Sequence, residues 1–244
     1  MLDDLQGKRV VVLGGTSGIG LASAHAVRAL GGEVLIAGRD QGRLVAALAE
    51  LGDGASGASV DAGERDQLAG LFEGSPEIDH LVLALGGASG GGPIAALELA
   101  DLRAGLEGKL LAHLSALQLA LPKLAPTGSV TFVSAASAGA PYAGASGLAA
   151  INGAIEAMVP ALAVELAPIR VNAVSPGVVD TPWWHGLPEA ERQAVFAQYG
   201  GAAPVGRVGA PAEIAQAILS VVCNEFITGT VLTVDGGLRF RAAA

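Results

Sequence analysis

One stretch limits the fold of this chain more than any other. Gly14-Gly15-Thr16-Ser17-Gly18-Ile19-Gly20 follows the apolar run Arg9-Val10-Val11-Val12-Leu13 and leads into Leu21 to Leu30, a segment rich in helix formers. The order is strand, glycine turn, helix start. Glycines remove the Cβ atoms that would block close approach of the backbone to a ligand. The first N–H groups of the helix lack internal partners, and the helix dipole adds to their pull on an anion such as a pyrophosphate. Glycine spacing alone is a weak signal, but a strand before it and a helix after it make nucleotide binding credible. The plainer alternative is a tight strand-to-helix turn with no ligand.

The rest of the chain repeats the same alternation. Lys8 to Leu13 reads as a buried parallel strand. Gly18 to Leu30 reads as a helix closed by Gly31-Gly32. Glu33 to Ala37 is expected as the second strand, Ser59-Val60 as a short third, Ile78 to Leu85 as the fourth, Ser129 to Ser134 as the fifth, Arg170 to Val174 as the sixth and Thr230 to Val234 as the last. Between them the pattern predicts helices over Gln41 to Leu51, Glu64 to Phe72, Leu99 to Leu121, Ala145 to Leu166, Pro188 to Tyr199 and Ala212 to Val222. Pro160, inside the helix from Ala145, is expected to kink it. Strands alternating with helices imply an α/β fold: a single-domain doubly wound parallel sheet of Rossmann type over residues 1–244, with helices on both faces. Residues 180–210 are expected to form a substrate lid. In such sheets ligands bind beyond the carboxyl ends of the strands. Gly14, Arg39, Asp61, Gly86, Ser134 and Pro176 all follow strands at that end.

Composition narrows the partners. The 244 residues are 51% apolar and 15% charged, which excludes a disordered chain. The mean hydropathy of +0.52 reflects Ala and Gly. No stretch reaches the roughly 18 uninterrupted apolar residues of a membrane span. A formal charge of −9 argues against nucleic acid and anionic membranes as general partners. Cys223 is the only cysteine, and Asp3 and Asp4 stand where a signal peptide would carry positive charge, so a cytoplasmic protein is expected. No metal is expected.

The whole chain resembles the short-chain dehydrogenase/reductase family. The matching motifs are Gly14-x-x-x-Gly18-x-Gly20, then Arg170-Val171-Asn172-Ala173-Val174-Ser175-Pro176-Gly177 with Val179 and Thr181, then Thr228-Gly229 and Val234-Asp235-Gly236-Gly237. The resemblance implies binding of a nicotinamide cofactor by Gly14, Thr16, Ser17, Gly18, Ile19, Gly20, Gly86, Pro176, Gly177, Val179 and Thr181. It also implies a small-molecule substrate and a homodimer or homotetramer. Leu106, Leu110, Leu114 and Leu117 offer one apolar stripe for such an interface, and Ala149, Gly153 and Ala157 a second, of small residues. A carboxylate after the second strand would hold a ribose 2′-hydroxyl and repel a 2′-phosphate, whereas an arginine attracts the phosphate. The chain has Gly38-Arg39 there, which favours NADP(H) over NAD(H). The alternative is that Arg39 merely pairs with Asp40 or stacks on adenine. Asp61 resembles the family residue beside the adenine amino group, and a helix N-cap is its other reading.

The catalytic pattern of the family breaks in this chain. Counted from Glu165 and Arg170-Val171-Asn172, the family's tyrosine position falls on Leu148, its lysine on Asn152 and its serine on Ala135, with Ser134 adjacent. Counted from Pro122, the family's asparagine position falls on Lys109. Leu83-Ala84-Leu85-Gly86 stands where Asn-Asn-Ala-Gly is usual. Lysine and asparagine have exchanged positions and the phenol is gone. Either Lys109 reaches into the space left at Asn152, or Lys109 is a solvated helix residue on a decayed site. Tyr142 and His113 are the candidates to replace the phenol as proton donor, and Ser134 is the candidate serine; Asn152 is the candidate to hold a ribose hydroxyl. Trp183, Trp184 and His185 are expected to wall the substrate pocket or to close against the lid. The expected function is hydride transfer to or from a small to medium apolar carbonyl, imine or activated alkene. The alternatives are a non-catalytic NADP(H)-binding sensor or scaffold and a non-redox dehydratase or isomerase.

Overall fold

Each central strand is apolar on both sides, as a sheet covered on both faces requires. β1 (Arg9–Leu13) turns Val10 and Val12 to one core and Val11 and Leu13 to the other. The computed structural model describes residues 4–87 and 89–240; Leu2 and Asp3 of the polar lead and Ala88 of the Gly86 to Gly92 loop lie outside them. β2 (Glu33–Gly38), β3 (Ala55–Ser59), β4 (Ile78–Leu83), β5 (Leu124–Val133), β6 (Arg170–Pro176) and β7 (Val231–Val234) complete a seven-stranded parallel sheet in the order β3-β2-β1-β4-β5-β6-β7. The order reverses between β1 and β4. Connections leave to opposite sides there and open a crevice at the strand ends. The doubly wound α/β architecture expected from the alternation is the one found.

α1 (Gly18–Ala29), α2 (Gln41–Leu51) and α8 (Pro211–Cys223) supply Ala24, Leu44 and Ile218 to the first core. α3 (Arg65–Glu73), α5 (Ala112–Ala120) and α6 (Ser146–Glu165) supply Phe72, Ala116 and Ile155 to the second. α6 is long and apolar enough to cross a membrane by composition alone, yet Ile151, Ile155 and Val159 are buried inside this protein. It runs through Pro160 to Glu165, with Pro160 on its exposed side. α7 (Glu189–Ala202) follows a short 3₁₀ turn, Pro182–Gly186.

Two expectations need correcting. The third strand is Ala55–Ser59, not Ser59-Val60. It is an edge strand paired only to β2, and Ala-Ser-Gly-Ala-Ser carries none of the apolar residues that mark the buried strands. The long helix from Leu99 is not uniform: α4 (Leu99–Gly105) passes into a π-helical stretch, Leu106–Leu111, before α5. The wider π turn rotates everything after it relative to a 3.6-residue count. The stripe Leu106, Leu110, Leu114, Leu117 is therefore not one outward face. Leu117 lies in the core and Leu111 is half exposed instead.

Candidate active site

The strand ends converge as the topology requires. Leu13 pairs with Ala37 and with Leu83, Leu83 with Phe132, and Val133 with Val174. Gly14, Arg39, Ala84 to Gly86, Ser134 and Gly177 therefore leave the sheet along one rim. Two of the turn glycines are demanded by packing alone. A Cβ on Gly20 would lie 2.1 Å from the Gly14 carbonyl oxygen, and one on Gly14 would lie 2.4 Å from the carbonyl oxygen of Ala84. Gly18 has φ near +53° and faces the Thr181 side chain, which brings the segment after β6 over the start of α1. Ser17 precedes α1 without a side-chain cap, which keeps the first N–H groups of the helix for an outside acceptor. Gly86 and Gly87 border open space. Thr16 lies against Gly38, at the end of β2. Beside it Arg39 is exposed, while Asp40 caps α2 through Arg43 N at 2.9 Å and stands 3.8 Å from the Arg43 guanidinium. Asp40 is thus engaged with Arg43 rather than with Arg39. Asp61 accepts from Gly63 N at 2.9 Å; Glu64, not Asp61, precedes α3 as its cap.

On the other side of the rim, the π-helical stretch presents Lys109 to β5. The Lys109 Nζ donates to the Ser134 carbonyl oxygen at 3.3 Å. Lys109 is not a fully solvated helix residue: burial pulls its pKa down to about 8, against the opposing attraction of the Glu156 carboxylate. Glu156 Oε1 accepts two hydroxyl bonds, from Ser134 at 2.7 Å and from Ser175 at 2.6 Å. Asn152, one turn earlier on α6, is 3% exposed; its Nδ2 donates to Leu148 O at 2.9 Å and to Ser137 Oγ at 3.2 Å. The Asn152 Oδ1 is a buried acceptor with no partner among the described residues. A buried amide oxygen without a donor carries a desolvation penalty of about 1–3 kcal/mol, which a ligand hydroxyl would remove.

The remaining candidates are placed as follows. His113 is wholly buried, with Nδ1 at 2.6 Å from the Lys109 carbonyl oxygen and Nε2 at 3.0 Å from that of Leu83. Burial and the nearby Lys109 charge push its pKa down to about 4. Both ring nitrogens are enclosed by backbone oxygens, so His113 braces the π turn rather than supplying a proton. Tyr142 packs edge-on against Tyr199 of α7, ring centroids 5.9 Å apart. Trp184 donates its indole N–H to Val179 O at 2.9 Å and meets Trp183 and Phe196 edge-on, with centroids 4.5 and 5.7 Å away. Trp183 is half exposed and His185 is exposed. A bridge between Val179 and Gly209 pinches the base of this segment. A mostly apolar cavity of about 320 Å³ opens at the start of α6. Ile94, Ala140, Pro141, Tyr142, Ala145 and Ala149 line it; Trp183, Trp184 and His185 do not.

Glu156 and Ser175 were not singled out from the sequence. The available signal was a lone carboxylate in the apolar run of α6, four residues after Asn152 and so on the same face.

A family model described as enoyl-(acyl carrier protein) reductase matches residues 14–239. A short-chain dehydrogenase/reductase from Stachybotrys chlorohalonatus is 32% identical over 96% of this chain and 97% of its own. The chain belongs to the short-chain dehydrogenase/reductase family. A small-chain dehydrogenase solved in complex with NADPH is similar at 32% identity and TM-score 0.82, covering 96% of this chain and 99% of its own. The MalC reductase/Diels-Alderase from Malbranchea aurantiaca is similar at 28% identity and TM-score 0.89, over 97% and 98% of the two chains. Family members bind a nicotinamide cofactor and act on small molecules. The donor row at the start of α1, the open space at Gly86 and Gly87 and the unpartnered Asn152 Oδ1 fit such a cofactor laid across the rim.

Proposed function

We propose that this protein is an NADP(H)-dependent oxidoreductase in which Lys109 serves as the proton donor in place of the family's tyrosine. The single observation that carries the reading is the Lys109 ammonium, turned inward onto Ser134 O with its pKa near 8. A proton donor works best when its pKa lies near the operating pH. Leu148, at the tyrosine position, has no proton to give. The α1 N–H groups, Thr16 and Thr181 would hold the cofactor's phosphates and amide, Asn152 Oδ1 would accept a ribose hydroxyl, and exposed Arg39 would meet the 2′-phosphate. When bound, the cofactor supplies hydride. Lys109 Nζ passes its proton to the substrate oxygen, and the neutral amine regains one from water. The proposed substrate is a small to medium apolar carbonyl, imine or activated alkene; the apolar cavity at the start of α6 is not lined by Lys109, Ser134 or Asn152 and does not itself locate it. Residues 180–210, with Trp184 packed on Phe196, act as the lid.

The test is to mix the protein with NADPH and a panel of apolar carbonyl compounds and follow oxidation of the cofactor. Turnover should appear in the parent and collapse in Lys109→Met, while NADPH still quenches tryptophan fluorescence in both. Turnover unchanged in Lys109→Met removes Lys109 from the mechanism. NADPH binding without turnover on any compound favours the sensor reading. A non-redox activity on the same scaffold is the remaining alternative, supported by Leu148 and by the Diels-Alderase named for the Malbranchea relative.

A further inference from the structure

Glu156 belongs to none of the motifs that identify the family in this chain, yet it lies at the centre of the buried polar groups beneath the crevice. It sits on α6 among Ile155, Val159 and Ile151, all buried. Two strands hold its carboxylate: Ser134 at the end of β5 and Ser175 near the end of β6 both donate to Oε1. Both serines are almost fully buried. Ser134 is also the residue whose carbonyl receives Lys109. One serine therefore joins the ammonium and the carboxylate, the first through its backbone and the second through its side chain. Swinging out to solvent would cost this carboxylate both bonds: the Ser175 hydroxyl would lose its acceptor, and Ser134 would keep only a longer bond to Val174 O at 3.4 Å.

We infer that Glu156 is a positioning residue: clamped by Ser134 and Ser175, it supplies the fixed negative charge that keeps Lys109 protonated at its place against Ser134 O. The inference rests on the proposed role of Lys109 for its consequence in catalysis, but not for the coupling itself. Lys109 is otherwise in a setting that favours the neutral amine, since burial disfavours its charge. Around Lys109, the ionisable groups that feel or exert its charge are Glu156 on α6 and His113 on α5, whose charged form is disfavoured by burial and by Lys109 itself. Ser134 and Ser175 contribute no charge. Removing the carboxylate leaves burial opposed only by the bond to Ser134 O, and the proton affinity of Lys109 falls. The clamp accounts for an otherwise costly arrangement, a carboxylate and an ammonium both withdrawn into the rim of an apolar sheet.

The chain has three lysines, Lys8, Lys109 and Lys123, so lysine enriched in ¹³C at Cε gives three resolvable titrations by NMR. The full chain is used without cofactor or substrate, and Lys109→Met assigns the signal. In Glu156→Gln, which keeps shape and can still accept from both serines, the Lys109 midpoint should fall by about one unit, a tenfold loss of proton affinity. Lys8 and Lys123 should titrate as in the parent. Glu156→Asp keeps the charge but draws it back, and a smaller fall is expected; this variant decides the matter if Glu156→Gln does not fold. An unchanged Lys109 midpoint in a folded variant overturns the inference. The titration involves no turnover, so the two readings fail separately. A shifted midpoint together with full turnover in Lys109→Met would sink the proton-donor reading and leave the coupling standing.

Discussion

If Lys109 donates the proton, the rate of reduction must follow its titration. With a pKa of about 8, roughly nine-tenths of the sites carry the proton at pH 7 and roughly one-tenth at pH 9. Reduction, measured as kcat/KM from NADPH absorbance under saturating cofactor, should therefore fall about tenfold between those pH values. The oxidative direction needs the free amine and should rise over the same interval. Replacing Lys109 by Met should cost roughly 10²–10⁴ in rate, the usual worth of a positioned acid. Lys109→Arg separates charge from proton supply: a guanidinium keeps the charge but does not release a proton in this range. It should retain cofactor binding and lose turnover. Stability gives an independent reading. The folded pKa lies below the unfolded value of 10.5, so both states are protonated below pH 8 and the fold bears the full cost of a buried charge there. Between about pH 8 and 10.5 the unfolded chain binds the extra proton, and the Lys109 contribution to stability rises with pH. The total is at most roughly 3 kcal/mol. Urea unfolding of parent and Lys109→Met across that range should show the difference. A reduction rate flat to pH 10, or a Lys109→Arg enzyme that keeps both rate and profile, refutes the reasoning.

Other substitutions test other parts of the rim. Arg39→Ala should weaken NADPH by about 10- to 100-fold, the worth of one charged hydrogen bond, and leave NADH unchanged in a binding titration; equal preference in parent and variant would remove the NADP(H) assignment. Gly20→Ala places a methyl 2.1 Å from the Gly14 carbonyl oxygen, so the turn must open. Calorimetry should show a loss of stability of about 1–3 kcal/mol or more, and cofactor binding should vanish. Trp184→Phe deletes the bond to Val179 O, worth about 1 kcal/mol, and should speed proteolysis within residues 180–210 without moving the main unfolding transition. Leu111 and Val164 are exposed on the helices flanking the site, and we propose that they face another copy of the chain. Sedimentation at micromolar concentration should give a dimer or tetramer; a monomer contradicts the proposal.

Much of the architecture was legible because it follows from short-range rules. β1 and β4 to β6 are apolar enough to be recognised without their neighbours, and Gly14 to Gly20 marks a strand-to-helix turn by steric need. β3 was misplaced because an edge strand with little to bury carries almost no pattern. The stripe on the long helix was misjudged because Leu106–Leu111 winds wider than an α-helix, and no residue in that stretch announces it. His113 looked like an acid on the same face as Lys109; in the fold both of its nitrogens face backbone oxygens.

The sequence by itself determined the sheet, the turn at its first crevice and the absence of a tyrosine at position 148. Each is a local property: alternation, glycine sterics, the identity of one side chain. The tertiary structure alone decided what lies around Lys109. Residues 109, 134, 156 and 175 come from a π turn, the end of β5, a helix and β6, and only the parallel pairing of β5 with β6 and the packing of α6 against them bring these residues together. Whether a lysine is a solvated cation or a proton donor near neutral pH depends on burial and on fixed charges nearby. Those are properties of the assembled rim.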